Sequence, residues 1–106
     1  MKTYYVYILK CADKYTYTGI TNNLTRRLEE HQKGKDKNCF TYKRRPVQLI
    51  FHQEFNDVIQ AIYFEKKIKK WSAQKKYALA KGEYELLQIL AECRNATHSK
   101  YKPEEE

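Results

Sequence analysis

Apolar residues alternate with period two from residue 4 to residue 10, placing Tyr5, Tyr7 and Leu9 on one face and Tyr4, Val6, Ile8 and Lys10 on the other. Tyrosine, valine and isoleucine suit a pleated surface, so this stretch predicts a strand. Residues 11–14 form a turn of hairpin length, with Asp13 able to bond its local backbone. Alternation resumes over 15–21, with Tyr15, Tyr17 and Gly19 on one face and Thr16, Thr18 and Ile20 on the other. A glycine inside a strand pattern marks a bulge or a close approach to the backbone. The period then changes to that of a helix. Asn22 or Asn23 can cap it, Leu24, Leu28 and His31 recur at helical spacing, and Gly34 stops it.

Arg27 lies four residues before His31, so the two side chains are neighbours on the helix surface. Arg27 is either aimed with His31 or merely at the edge of the apolar stripe. Residues 33–45 carry Lys33, Lys35, Lys37, Lys43, Arg44 and Arg45 among Phe40 and Tyr42. Cations interleaved with aromatics suit phosphate contact and base stacking, and a solvated connector is the competing reading. Pro46 closes the loop. A third strand follows over 47–55, with Val47, Leu49 and Phe51 on one face and Ile50 opposite. Asn56 or Asp57 caps a helix over 57–70 built on Ile59, Ile62, Phe64 and Ile68. Glu65 falls inside that apolar stripe, where a carboxylate needs a partner or a metal, while its neighbouring lysines point elsewhere. Ser72 caps a helix to about Lys81, stopped by Gly82. A last helix spans about 84–93 with Leu86, Leu87 and Leu90 inward, and residues 95–106 form a polar, disordered tail.

These elements make a single α+β domain over residues 1–94, as expected for a chain of 106 residues. No apolar run approaches the roughly 20 residues of a membrane helix, and the N-terminus lacks the apolar core of a signal peptide, so a cytoplasmic protein is expected. The net charge is +8, and three of the acids are the terminal glutamates, so the body is more basic still. Such a charge fits nucleic acid as partner rather than membrane, or simply a lysine-rich solvated surface. Cys11, Cys39 and Cys93 are odd in number and widely spaced, which argues for reduced thiols over disulfides or zinc.

Several site types are excluded. The three glycines form no phosphate-binding loop, neither a serine elbow nor an H-E-x-x-H run occurs, and one glutamate cannot build a two-metal centre. Tyrosine, arginine, histidine and Glu65 remain, a sufficient kit for phosphodiester hydrolysis. Glutamate can hold one Mg²⁺ that keeps most of its waters, arginine offsets transition-state charge, and tyrosinate or histidine accepts a proton from water.

The series V-Y-I at 6–8, Y-T-G at 17–19, Arg27, His31 and Glu65 resembles the GIY-YIG nuclease superfamily, most of all its small stand-alone YhbQ/YazA-like bacterial members. These are similar to the N-terminal nuclease domain of the excision-repair subunit that makes the first cut beside a DNA lesion. The likeness covers roughly residues 3–80. It implies a small three-stranded antiparallel sheet flanked by helices and a one-metal (Mg²⁺ or Mn²⁺) endonuclease acting on nucleic acid, DNA before RNA. With no DNA-targeting module in the sequence, site specificity is expected to be low unless a protein partner supplies it. By the same likeness Tyr7 would be the base, Tyr17 would position water or phosphate, and Gly19 would admit a backbone turn. Arg27 would stabilise the transition state, His31 would bond phosphate or help activate water, and Glu65 would hold the metal.

Three departures stand out. Tyr5 replaces the usual glycine, Ile20 stands where many active members have a lysine that lowers the tyrosine pKa, and no asparagine matches after Glu65. The last two favour a competing reading, a nucleic-acid-binding module without turnover.

Overall fold

The first strand of the chain becomes the middle of the sheet. The computed structural model describes residues 3–82 and 86–98. Strands β1 (Tyr4–Lys10), β2 (Thr16–Thr21) and β3 (Gln48–Phe55) form one antiparallel sheet in the order β2-β1-β3. Helix α1 (Leu24–Lys33) follows β2, and α2 (Val58–Lys69), α3 (Ala73–Ala80) and α4 (Leu86–His98) follow β3, with a 3₁₀ turn at Tyr42–Arg44 between α1 and β3.

Helices cover both faces of β1, which is why apolar residues occupy both phases of its alternation. Val6 and Ile8 enter a core with Phe55, Ala61, Phe64, Ile68, Leu79, Ile89 and Cys93, so α2, α3 and α4 contribute to that side. Tyr7 and Leu9 enter a second core with Cys11 and Val47, flanked by Leu24 and Leu28 of α1. The sheet therefore separates an aliphatic core from a tyrosine-bearing one.

The local stops follow side-chain chemistry. Asn23, Asp57 and Ser72 cap α1, α2 and α3 by accepting first-turn N–H bonds, and Gly34 ends α1 in the left-handed region at φ 66°. A bulge in β3 departs from simple alternation. Ile8 pairs with Phe51 while Leu9 pairs with Leu49, which leaves Ile50 as an extra residue. Phe51 thus joins Ile50 against the aliphatic core, while Val47 and Leu49 pack on the tyrosine side, so the expected sharing of one face by Leu49 and Phe51 is corrected.

The C-terminal helix also differs from expectation. It continues to His98, so residues 95–98 of the expected tail are helical, and residues 99–106 lie outside the described residues. Its inward stripe is Leu86, Ile89, Leu90 and Cys93, whereas Leu87 is 81% exposed. Leu87 sits a quarter-turn or so off that stripe, which helical spacing leaves in solvent. Among the described residues no helix is long and apolar enough to cross a membrane.

Candidate active site

Tyr7 sits at the centre of β1 with only 1% of its surface exposed, paired across the sheet with Gly19 and His52. Its ring lies over Gly19. A Cβ there would stand 2.5 Å from the phenol oxygen and 2.6 Å from Cζ, closer than nonbonded atoms allow. Gly19 is therefore a ring seat inside a paired strand, and the backbone turn expected at this position is not present.

From the next helix, His31 reaches the same point. The Tyr7 hydroxyl oxygen is 3.0 Å from His31 Nε2, and His31 Nδ1 is 2.9 Å from Thr41 Oγ1. The Thr41 hydroxyl donates to Cys39 Sγ at 3.4 Å. Tyr17 of β2 completes the group, its ring 5.0 Å from that of His31 and 6.3 Å from that of Tyr7. Alternation on two strands and helical spacing on α1 thus bring Tyr7, Tyr17 and His31 together.

Arg27, one turn before His31, interacts with both phenols and donates from Nη1 to Glu30 Oε1 at 3.0 Å. Of the two sequence readings of Arg27, the one aimed with His31 is realised. Burial pushes the Tyr7 phenol up to about 12, with Arg27 pulling the other way. Burial likewise raises Tyr17, and it lowers His31, an effect that the Arg27 charge reinforces. The group consequently rests at neutral pH with both phenols protonated and the imidazole neutral.

Glu65 comes from another helix. Its side chain on α2 is 13% exposed and 3.7 Å from Lys69 Nζ, so a neighbouring lysine does reach it, correcting the expectation that none would. The i,i+4 spacing of a helix explains this, since it brings Lys69 alongside. Buried Lys76 of α3 also feels the Glu65 charge. Among the described residues no hydrogen bond, ion pair or ring contact joins Glu65 to Tyr7, Tyr17, Arg27 or His31, and no cluster of three or more His, Cys, Asp or Glu forms a metal cage. One half-buried carboxylate, with only an exposed lysine to displace, fits an ion that keeps its waters and takes substrate oxygens. It does not fit a protein-built cage.

The basic loop divides in two. Arg44 pairs with Asp13 at 3.0 Å, donates to the Phe40 carbonyl and stacks over the Phe40 ring at 4.1 Å. Arg45 donates to the carbonyls of Tyr42 and Gln32. Both arginines fasten the loop, whereas Lys33, Lys35, Lys37 and Lys43 are exposed. Beside them Tyr15 and Phe40 are 55% and 42% exposed and stack on each other, and Phe40 also stacks on Tyr17. A cavity of about 250 Å³ adjoins the group, lined by Arg27, Glu30, His31, Lys35, Cys39 and Thr41 among others. Glu30, Cys39 and Thr41 were not singled out in the sequence. Glu30 carried a signal, its i,i+3 spacing from Arg27, but the loop residues have no period to betray them.

Ile20 pairs with Val6 and packs on the aliphatic core, across the sheet from Tyr7.

A sheet that seats a buried tyrosine on a strand glycine, with arginine and histidine supplied by the following helix, defines a nuclease-type fold. Residues 3–78 match the model of the GIY-YIG catalytic domain, and the chain belongs to the GIY-YIG family. It is 42% identical over 81 residues to a UPF0213 protein of Syntrophus aciditrophicus, covering 76% of this chain and 93% of that one. It is 45% identical over 83 residues to a UPF0213 protein of Lactiplantibacillus plantarum, covering 76% and 82%. Two solution NMR structures are similar. The UPF0213 protein BH0048 from Bacillus halodurans has a TM-score of 0.50 at 32% identity, covering 82% of this chain and 92% of that one. The protein EF2693 from E. faecalis has a TM-score of 0.56 at 35% identity, covering 77% and 86%.

Proposed function

We propose that this chain is a metal-dependent endonuclease that hydrolyses DNA phosphodiester bonds at the group formed by Tyr7, Tyr17, Arg27 and His31. The observation that carries this reading is the 3.0 Å contact between the Tyr7 hydroxyl and His31 Nε2 in a buried setting beside Arg27. A standing tyrosinate is not populated at neutral pH when the phenol is pushed up to about 12. A neutral imidazole in contact with it removes the need for one. As the attacking water gives its proton to the Tyr7 oxygen, the Tyr7 proton passes to His31 Nε2. The water oxygen bonds to phosphorus, the ester P–O bond breaks, and the leaving oxygen takes a proton from solvent. Arg27 offsets the charge that gathers on the phosphoryl oxygens.

Glu65 is the residue that would hold one Mg²⁺ or Mn²⁺. When bound, such an ion neutralises phosphate charge and polarises water. The exposed lysines of the loop suit phosphates, and the Tyr15 and Phe40 rings suit a stacked base. The preference for DNA and a role in its repair or processing rest on the likeness to the excision-repair nuclease domain.

The test is cleavage of single-stranded, nicked and branched DNA with Mg²⁺ or Mn²⁺, comparing the wild type with Arg27→Ala and Glu65→Gln. Each substitution is expected to cost about a hundredfold or more in kcat. Mutants that cut as well as the wild type would sink the proposal. The alternative is a nucleic-acid-binding module without turnover, favoured by the pairing of Glu65 with Lys69. Salt-sensitive binding that survives both substitutions, with no cleavage under either metal, selects it.

A further inference from the structure

We infer that Thr41 is a positioning residue, whose hydroxyl holds His31 in the tautomer able to accept the Tyr7 proton. The inference deepens the nuclease reading and rests on it. A neutral imidazole carries one proton on one of two nitrogens, and the bond made by the far nitrogen decides which. Here the far nitrogen is Nδ1, 2.9 Å from Thr41 Oγ1. A threonine hydroxyl has a single hydrogen to donate, and Cys39 Sγ, 3.4 Å away, is placed to receive it. With that hydrogen on sulfur, the oxygen faces Nδ1 as an acceptor and Nδ1 brings the proton. Nε2 is then a bare acceptor, facing the Tyr7 O–H at 3.0 Å.

The opposite tautomer would present Nε2–H to the phenol oxygen. Tyr7 would then have no base to receive its proton, although every atom stayed in place. Thr41 itself has little freedom to reorient. It is 1% exposed, and its carbonyl accepts the Arg44 N–H at 3.0 Å across the 3₁₀ turn. The other groups facing His31 do not compete for Nδ1 at this distance. Tyr7 and Tyr17 approach from the strands, Arg27 and Glu30 act from α1 through charge, and Cys39 Sγ stands at 3.9 Å.

The role separates from packing, because valine matches the shape of threonine without its hydroxyl. The experiment uses the full chain with ¹⁵N-labelled histidine and long-range ¹H–¹⁵N correlation spectra, alongside cleavage kinetics. In the wild type His31 should show a protonated Nδ1 and an unprotonated Nε2. Thr41→Val should move the proton toward Nε2 and lower kcat about tenfold to a hundredfold, with KM changed by less than about twofold. Thr41→Ser should restore both readouts. Should Thr41→Val not fold, Thr41→Ala removes the same acceptor with less bulk. An unchanged tautomer without the hydroxyl, a shifted tautomer with unchanged kcat in an active enzyme, or failure of serine to restore the spectrum overturns the inference. If the wild type cuts no nucleic acid, the nuclease reading falls, and the spectra still decide whether Thr41 sets the tautomer.

Discussion

Tyr7 and Gly19 function as one unit, because the ring of the first occupies the space a side chain on the second would need. Gly19→Ala places a methyl 2.5 Å from the phenol oxygen, so the ring, 1% exposed and packed in the core, has to shift. The expected cost is about 1–3 kcal/mol of stability, read as a lowered urea midpoint, with displacement of Tyr7 from His31. A midpoint equal to that of the wild type would mean that the ring has room to move. His31 contributes a pH dependence whose sign follows from its environment. Burial and Arg27 hold its pKa below the ordinary value of about 6.5, so the unfolded chain binds a proton that the native chain refuses. Stability from this residue is therefore present above about pH 6.5 and is lost as pH falls through the lower native value. His31→Gln should narrow the difference between urea midpoints at about pH 7.5 and pH 5, and a difference left unchanged would assign it to other groups. Tyr7, Tyr17, Arg27 and His31 were legible in the sequence because strand alternation and i,i+4 spacing each fix a direction. Thr41 was not, since its direction is set by a loop that crosses to α1 from outside any period.

At the scale of elements, the caps were readable because Asn23, Asp57 and Ser72 act on their own first turns, a local event. The β3 bulge was not, because which strand carries an extra residue depends on the partner it pairs with, and only the sheet reveals that Phe51 follows Ile8. The loop between α1 and β3 shows the same contrast most sharply. Its composition announced cations and aromatics but could not say that two of the cations would be spent internally. Arg44 bridges Asp13 in the hairpin turn and lies over both Phe40 and Tyr15, so it fastens the loop to the β1–β2 connection. Arg44→Ala should release that attachment at a cost of about 1 kcal/mol and raise amide hydrogen exchange in residues 36–44. Lys43→Ala, which removes an exposed charge, should leave that exchange unchanged. Equal effects from the two would show that charge, rather than the stacked arginine, holds the loop.

For the whole molecule, the excess of 21 basic over 13 acidic residues overstates what is available to a polyanion. Arg27, Arg44 and Arg45 already face internal partners, and Lys69 neutralises Glu65. The exposed cations of the loop beside the tyrosine group are Lys33, Lys35, Lys37, Lys43 and Arg45, and of these Arg45 is already bonded to backbone carbonyls. Four phosphate contacts on a single strand give a slope of log K against log salt near −0.7 per contact, or roughly fiftyfold weaker binding between 50 and 200 mM salt. Replacing Lys33, Lys35 and Lys37 together by glutamine should therefore flatten the slope by about two units, with little change in the urea midpoint. Arg45→Gln should flatten it far less, because its guanidinium is bound to the Tyr42 and Gln32 carbonyls and stacks on Tyr42. Fluorescence anisotropy with a labelled oligonucleotide across a salt series measures both. If Arg45→Gln flattened the slope as much as the triple lysine change, the arginine would have to leave its internal bonds to meet phosphate. The loop would then be remodelled by its ligand, and the division between fastening arginines and contacting lysines would hold only for the free protein.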